Sequence, residues 1–211
     1  MQWEYVLWLV DDLFTLQYTV SGHHTTRDTL HNIYGFIEFR YVFMNTVCKL
    51  WYIDDILHRD IGPASIESDL ADIVTRLTFY RHGSTHNCHG PANVWFYSDG
   101  TIRREEFWLS GILHRENYPA VTLYDSCGKI YEQVWYQDNK PHNDNGPAMK
   151  QYYKNGKPAV IQYCKYGKLE NKKGPAVIEF CEDGSIKKIS YYVGGVEISR
   201  CSLGQFYQDA W

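Results

Sequence analysis

The sequence predicts an all-β fold: an elongated, single-layer array of antiparallel β-hairpins, a meander or solenoid closed by a short N-terminal cap. Three observations carry this. Pro63, Pro91, Pro119, Pro147 and Pro175 stand 28 residues apart, each followed by Ala and all but Pro119 preceded by Gly. A fixed period of this length marks a supersecondary unit that stacks on copies of itself because it cannot bury its apolar face alone. In the unit from Gly174 to Glu197, Ala176, Ile178 and Phe180 alternate with Val177, Glu179 and Cys181, the period of two that a strand explains and a helix does not. Finally, Asp99-Gly100, Cys127-Gly128, Asn155-Gly156 and Asp183-Gly184 recur at one offset. Such pairs between alternating runs signal a tight primed hairpin turn, whose positive φ glycine accepts freely.

Taken in order, residues 1–29 match no unit and form the cap, with Trp3, Trp8, Leu9, Leu13 and Phe14 as a short helix or strand covering an open sheet edge. Residues 30–57 are a degenerate first unit: Trp51-Tyr52 falls 28 residues before Phe79-Tyr80. Clear units follow at 58–85, 86–113, 114–141, 142–169 and 170–197, making about six, and residues 198–211 close the array with Phe206 and Trp211. The unit 58–85 carries Asp72 in the turn-glycine column, so its ESDLADIV segment is expected to form a longer loop or a helical turn.

Within a unit the second strand ends in an aromatic pair, as in Phe107-Trp108 and Trp135-Tyr136. A second turn follows, marked by Gly83, Gly111, Asn139, Gly167 and Gly195. The proline then sits at a strand start or loop edge, where its missing N–H costs nothing. No Ser/Pro/Gly-rich linker interrupts the chain, which therefore reads as one continuous body. Two strands per unit advance the array by roughly 10 Å, so six units make a rod near 60 Å with shallow burial and aromatic surface left for partners.

Composition narrows the function classes. The 211 residues are 16% aromatic and 22% charged, with a formal net charge of −4, which suits a folded β-rich protein and gives no basis for nucleic-acid binding. Charge is split along the chain: residues 1–149 hold 11 Lys or Arg against 19 Asp or Glu, while residues 150–188 hold 9 Lys against 4 acids. Six cysteines share no offset within the unit, so a repeated disulfide or metal framework is not expected, and a reducing interior is the better fit. The apolar run Tyr5 to Val10 ends at Asp11-Asp12, far short of the roughly 20 residues of a membrane span.

Hairpins with a Tyr or Trp pair, then Gly, then His, then Gly resemble the MORN repeat family over about residues 51 to 197. The period of 28 is longer than the family's unit, and Gly-Pro-Ala replaces its simpler Gly-x-Gly end. LHRDIGPASI from Leu57 and LHRENYPAVT from Leu113 look like the repeat proteins of large double-stranded DNA viruses and some phages. The resemblance implies a non-catalytic structural or protein-interaction element, foremost a minor capsid or virion-associated protein. The alternative is an intracellular scaffold that recruits a protein or an anionic membrane through its Lys-rich end. It implies no cofactor, possible self-association, and location in a virion or host cytoplasm.

Four constellations invite chemistry. His58, His86, His114 and His142 form one column with Glu170 in fifth place. Neighbours in it lie about 10 Å apart, too far to share an ion held at about 2 Å, so they are expected to cap turns or pack on aromatic rings. His82, His86, Cys88 and His89 have enough ligand types for zinc, but they fall on one turn, lack a CxxC and do not recur; His23-His24 is a lesser pair. Glu105 and Glu106 are strand neighbours that point to opposite faces and cannot flank one bond. With no nucleophile elbow or phosphate loop, no catalytic residue is expected. Partner binding is expected at Lys165, Lys168, Lys172 and Lys173, and at Trp3 and Trp8 in the cap.

Overall fold

The computed structural model describes the backbone of residues 5–11, 14–24 and 33–41, and residues 45–199 in full. Among these, all regular structure is β, and successive hairpins pair antiparallel without closing into a barrel. The chain forms two compact units, residues 1–111 and 112–211. No helix among the described residues is long and apolar enough to cross a membrane.

In the first unit the strand order is the chain order: Tyr5–Asp11, Phe14–His24, Ile33–Tyr41, Thr46–Ile53, Ser65–Ser68, Val74–Thr78, Asn93–Phe96 and Ile102–Glu106. The expected cap therefore contributes two full strands to the sheet: Tyr5 to Asp11 pair with Val20 to Phe14, and Leu16 to His24 with Tyr41 to Ile33. Trp3, Leu13, Phe206 and Trp211 lie outside the described residues. The second unit repeats the arrangement with Val121–Tyr124, Ile130–Val134, Met149–Tyr152, Pro158–Gln162, Val177–Phe180, Ile186–Val193 and Val196–Ile198.

The repeat is more than two strands and two turns. After the second sheet strand the aromatic pair divides. Its first member donates its N–H to the next repeat's Ala carbonyl, as in Phe79 to Ala92 and Trp135 to Ala148, both 2.8 Å. Its second member opens a separate two-residue ladder: Tyr80–Arg81 with Ser84–Thr85, Tyr136–Gln137 with Lys140–Pro141, and Cys164–Lys165 with Lys168–Leu169. Sequence reading merged these ladders with the sheet because they are too short to show a period.

The two turns also exchange types relative to expectation. At the Asp-Gly site Gly100 donates back to Tyr97 at 3.0 Å and Tyr97 to Thr101 at 2.8 Å, with only Gly100 at positive φ. This is a three-residue loop with a left-handed closing residue, followed by one extra residue, Arg103, that shifts the ladder register between Trp95–Arg104 and Phe96–Ile102. The primed turn is instead the other one. Both central residues have positive φ at Asp54-Asp55, His82-Gly83, Ser110-Gly111, Asp138-Asn139, Tyr166-Gly167 and Gly194-Gly195. Unit 58–85 keeps the common loop: Asp72, at φ 61, donates to Asp69 at 3.0 Å where a longer loop or helical turn was expected.

A side-chain oxygen completes each loop from one of two positions. Asp99, Asn155 and Asp183 accept the N–H two residues on, at 2.8, 2.9 and 2.7 Å. Where that position holds Ala71 or Cys127, an aspartate two residues earlier substitutes, and Asp69 and Asp125 each accept two loop N–H groups at 2.9 Å. The loop N–H groups thus find an acceptor by local side-chain bonding in each of the five repeats from 58 to 197.

The core is thin. Ala64, Ala92, Ala120, Ala148 and Ala176 are fully buried, and among the described residues the largest fully buried side chains are Val47 and Thr78. Ala92, Ala148 and Ala176 are held on both backbone sides, Ala148 donating to Gln162 and accepting from Trp135 at 2.8 Å each, and a larger side chain at such a closely packed position has to displace its neighbours.

Candidate functional site

Within each compact unit, polar side chains recur on the Gly-Pro-Ala loops. Each loop is tied by a residue four positions before its proline. Arg59, Asn87, Arg115, Asn143 and Asn171 donate to the carbonyls of Pro63, Pro91, Pro119, Pro147 and Pro175 at 3.1, 3.0, 3.4, 3.0 and 2.9 Å. The asparagines also accept from the N–H two residues on, at 3.0 Å in each case. The arginines instead lay their guanidinium over a ring, Arg59 over Trp51 at 4.2 Å and Arg115 over Tyr118 at 5.1 Å. Sequence analysis missed this column, although its restriction to Arg and Asn every 28 residues was on view.

Between successive loops run open grooves of about 360 to 400 Å³. One lies between the loops at Arg59–Gly62 and Asn87–His89, above Phe79 and Tyr80. In the second unit, neighbouring grooves share the loop His142–Gly146, one floored by Trp135 and Tyr136 and the other by Tyr163 and Cys164. They are shallow and polar.

Lys165, Lys172 and Lys173 line the last of these grooves. Lys168 is placed directly across the short ladder from Lys165. The stem of Lys140 lies against Gly167 in the turn between them, where an added Cβ would be 3.9 Å away. Lys140, Lys165, Lys168 and Lys173 are exposed, and no carboxylate among the described residues lies within ion-pair distance of them. Like charges facing each other across a ladder disfavour it, by an amount comparable to the roughly 0.2–1 kcal/mol of a favourable pair.

The histidine column joins consecutive short ladders. The N–H of the first primed-turn residue, 24 positions on, donates to the ring: His82 to His58 Nδ1 at 2.9 Å, Ser110 to His86 Nδ1 at 3.1 Å and Tyr166 to His142 Nδ1 at 3.3 Å. Glu170 takes the same role, its carboxylate accepting from Gly194 at 3.3 Å. The second turn residue donates to the backbone just before the column, Gly83 to Leu57 and Gly167 to Pro141, at 2.9 and 2.8 Å. His114 departs: its Nδ1 is buried without a hydrogen bond, and Asn139 Oδ1 instead accepts from Leu113 N–H at 2.8 Å. Ser110 Oγ is 3.5 Å from His86 Nδ1, but that nitrogen already accepts the Ser110 amide.

A third cluster occupies one sheet face of the first unit. Trp95 lies between the guanidinium groups of Arg76 and Arg104, at 4.7 and 5.3 Å. Glu106, buried at the strand end, accepts from Trp108 Nε1 at 2.7 Å and Asn93 Nδ2 at 3.3 Å, and pairs with Arg104. Arg76 in turn pairs with Glu67 at 3.3 Å. Glu105 faces Val94 across the ladder, on the opposite side of the sheet from Glu106. Every member has a partner inside the cluster, which makes it a bracing network on a sheet with few large buried side chains.

The remaining candidates disperse. His82 packs its ring on His58 at 4.5 Å, Cys88 is an exposed thiol, and His89 donates its amide to Asn87. No group of three or more His, Cys, Asp or Glu among the described residues could hold a metal ion. Trp8 lies opposite Gln17, and His23 and His24 opposite Tyr34 and Ile33, on described strands. Cys48, Cys88, Cys127, Cys164 and Cys181 are free. Burial raises the pKa of the Cys48 and Cys164 thiols, at Cys48 with help from the Glu67 charge, and keeps them in the inert protonated form. No protein-family model and no curated protein sequence matches the chain.

Proposed function

We propose that this chain is a non-catalytic interaction element that grips an anionic partner through the lysines of its fifth and sixth units. The observation that carries the reading is the Lys165–Lys168 pair, held face to face without a compensating carboxylate and continued by Lys173 on the groove wall. A fold that tolerates such a pair leaves a charge deficit that an acidic partner fills, and electrostatic complementarity then sets encounter and register. The shallow polar grooves favour gripping over turnover, since an active site needs a concave pocket with convergent groups.

Within this class we read the partner as a protein of an assembled particle. The support for a minor capsid or virion-associated role is the resemblance of the Gly-Pro-Ala units to viral repeat proteins. Counting the protein in purified particles by mass spectrometry tests it: stoichiometric copies that are reduced by Lys165→Glu with Lys168→Glu are expected, and trace amounts overturn it. The same lysines favour a second reading, a scaffold on an anionic membrane. There, sedimentation with phosphatidylserine vesicles is expected to be salt-sensitive and lost in the double variant.

A further inference from the structure

We propose that His58 and His142 are acid-released latches between consecutive short ladders, independent of what the chain binds. Both rings are buried, at 6% and 5% exposure, and both use Nδ1 to accept the amide of the next primed turn. Accepting at Nδ1 requires the neutral ring with its proton on Nε2. An aspartate stands near that nitrogen in both cases: Asp60 Oδ1 is hydrogen-bonded to His58 at 3.0 Å, while Asp144 Oδ1 lies within ion-pair distance, 3.3 Å, of His142, whose buried Nε2 makes no hydrogen bond. Taking up a second proton at Nδ1 turns the acceptor into a donor that confronts the turn amide. The latch bond is lost while the aspartate still holds the imidazolium, so the released state has a partner ready.

The surroundings are named by the packing. Around His58 stand the His82 ring and Asp60, the latter also under the charge of Arg81. His142 is stacked on Tyr166 at 4.2 Å with rings 7° from parallel. Its groove walls add Lys165, Glu170, Lys172 and Lys173 on one side, and Arg115, Glu116 and Lys150 on the other. The Asp60 carboxyl is held below its ordinary range, chiefly by its hydrogen bond to His58.

The chain carries its own control. Glu170 performs the same latching on Gly194, and a carboxylate keeps its acceptor oxygens across the range in which imidazole titrates, near pH 6.5 in water. His86 makes the same bond on a half-buried ring with Cys88 in place of the aspartate. The sign follows directly. A latch is closed when the ring is neutral and opens as pH falls, and because Gly83 and Gly167 keep their backbone bonds, opening loosens a junction without separating it.

The test is amide exchange resolved by residue on the full chain at pH 7.5 and 5.0, corrected for intrinsic rates. Protection at His82 and Tyr166, relative to Gly194, is expected to fall about fivefold or more at the lower pH, the scale of one lost hydrogen bond. In His142→Glu the fall at Tyr166 is expected to vanish while that at His82 stays. Equal protection ratios at the two pH values, or an unchanged fall at Tyr166 in the variant, overturn the proposal. Imidazole ¹⁵N shifts of the unmodified protein give a readout that needs no variant: a proton on Nδ1 of either ring at pH 7.5 also overturns it.

Discussion

Replacing Asn171 separates the two bonds that close a Gly-Pro-Ala loop. Its Nδ2 donates to the Pro175 carbonyl at 2.9 Å and its Oδ1 accepts from Lys173 N–H at 3.0 Å. At about 0.5–1.5 kcal/mol for each bond, Asn171→Ala is expected to cost about 1–3 kcal/mol. Arginine, the natural occupant at positions 59 and 115, reaches the proline carbonyl alone, so Asn171→Arg is expected to lose about half as much. Thermal unfolding followed by circular dichroism reads both, and about 2–4 °C per kcal/mol applies to a chain of 211 residues. The order wild type, Arg, Ala is the essential result. An alanine variant within about 1 °C of wild type, or an arginine variant no better than alanine, refutes the assignment of this column as the loop tie.

Four other outcomes are expected. Ala148→Val inserts two methyls beside a backbone pinned on both sides and is expected to lower stability by about 1–3 kcal/mol in urea melts, whereas Lys154→Ala at an exposed loop is expected to leave it unchanged. Asp72→Gly, which gives unit 58–85 the residue of its fellow repeats at φ 61, is expected to gain about 0.5–1 kcal/mol by the same assay. Glu106→Ala strands the Trp108 N–H and the Arg104 charge, and is expected to cost about 2–3 kcal/mol, with Glu106→Gln losing less. Asp183 has its pKa lowered, first by the Ser185 hydroxyl and then by the Ser185 amide. A depressed folded-state value means its contribution is present above the unfolded value and is lost as pH falls through the folded one. Asp183→Asn is therefore expected to match wild type at pH 7 and to flatten the acid limb of stability below pH 4, as compared by urea melts at both pH values.

The repeat period, the strands and the turn glycines were legible because each imposes a spacing or a residue type that one chain repeats for the reader. The turn types were not. Asp99-Gly100 carries the residues of a primed hairpin, yet Gly100 closes a loop one residue longer, and Ser110 and Tyr166 adopt positive φ that neither residue type advertises. What holds Tyr166 there is the docking of its amide on His142, a bond between residues 24 apart that no local pattern encodes. The histidine column was visible as a column, with turn capping among its expected roles, but the turn it caps lies 24 residues on, at the tip of the next short ladder. Glu106 was read only as half of an adjacent acidic pair. Its burial depends on Asn93, Arg104 and Trp108 meeting at one strand end, which the sequence separates by up to 15 positions. The lysines were found from charge counts alone, and their face-to-face placement needed the ladder register.

At the tips 82–83 and 166–167, the two turn amides that fasten a short ladder to the one before it sit on the later ladder, and the atoms that receive them lie where the chain leaves the earlier one. Synthesis therefore delivers the receiving site before the group that seeks it, and each emerging tip can settle on finished ground. Shortening the chain from its far end removes tip donors and leaves behind tip acceptors that water satisfies, while sheet amides such as that of Trp135, which donates forward to Ala148, lose their partner. Removing copies from the beginning strands a tip whose two amides face nothing, so the order of manufacture is written into which side of each tip contact gives.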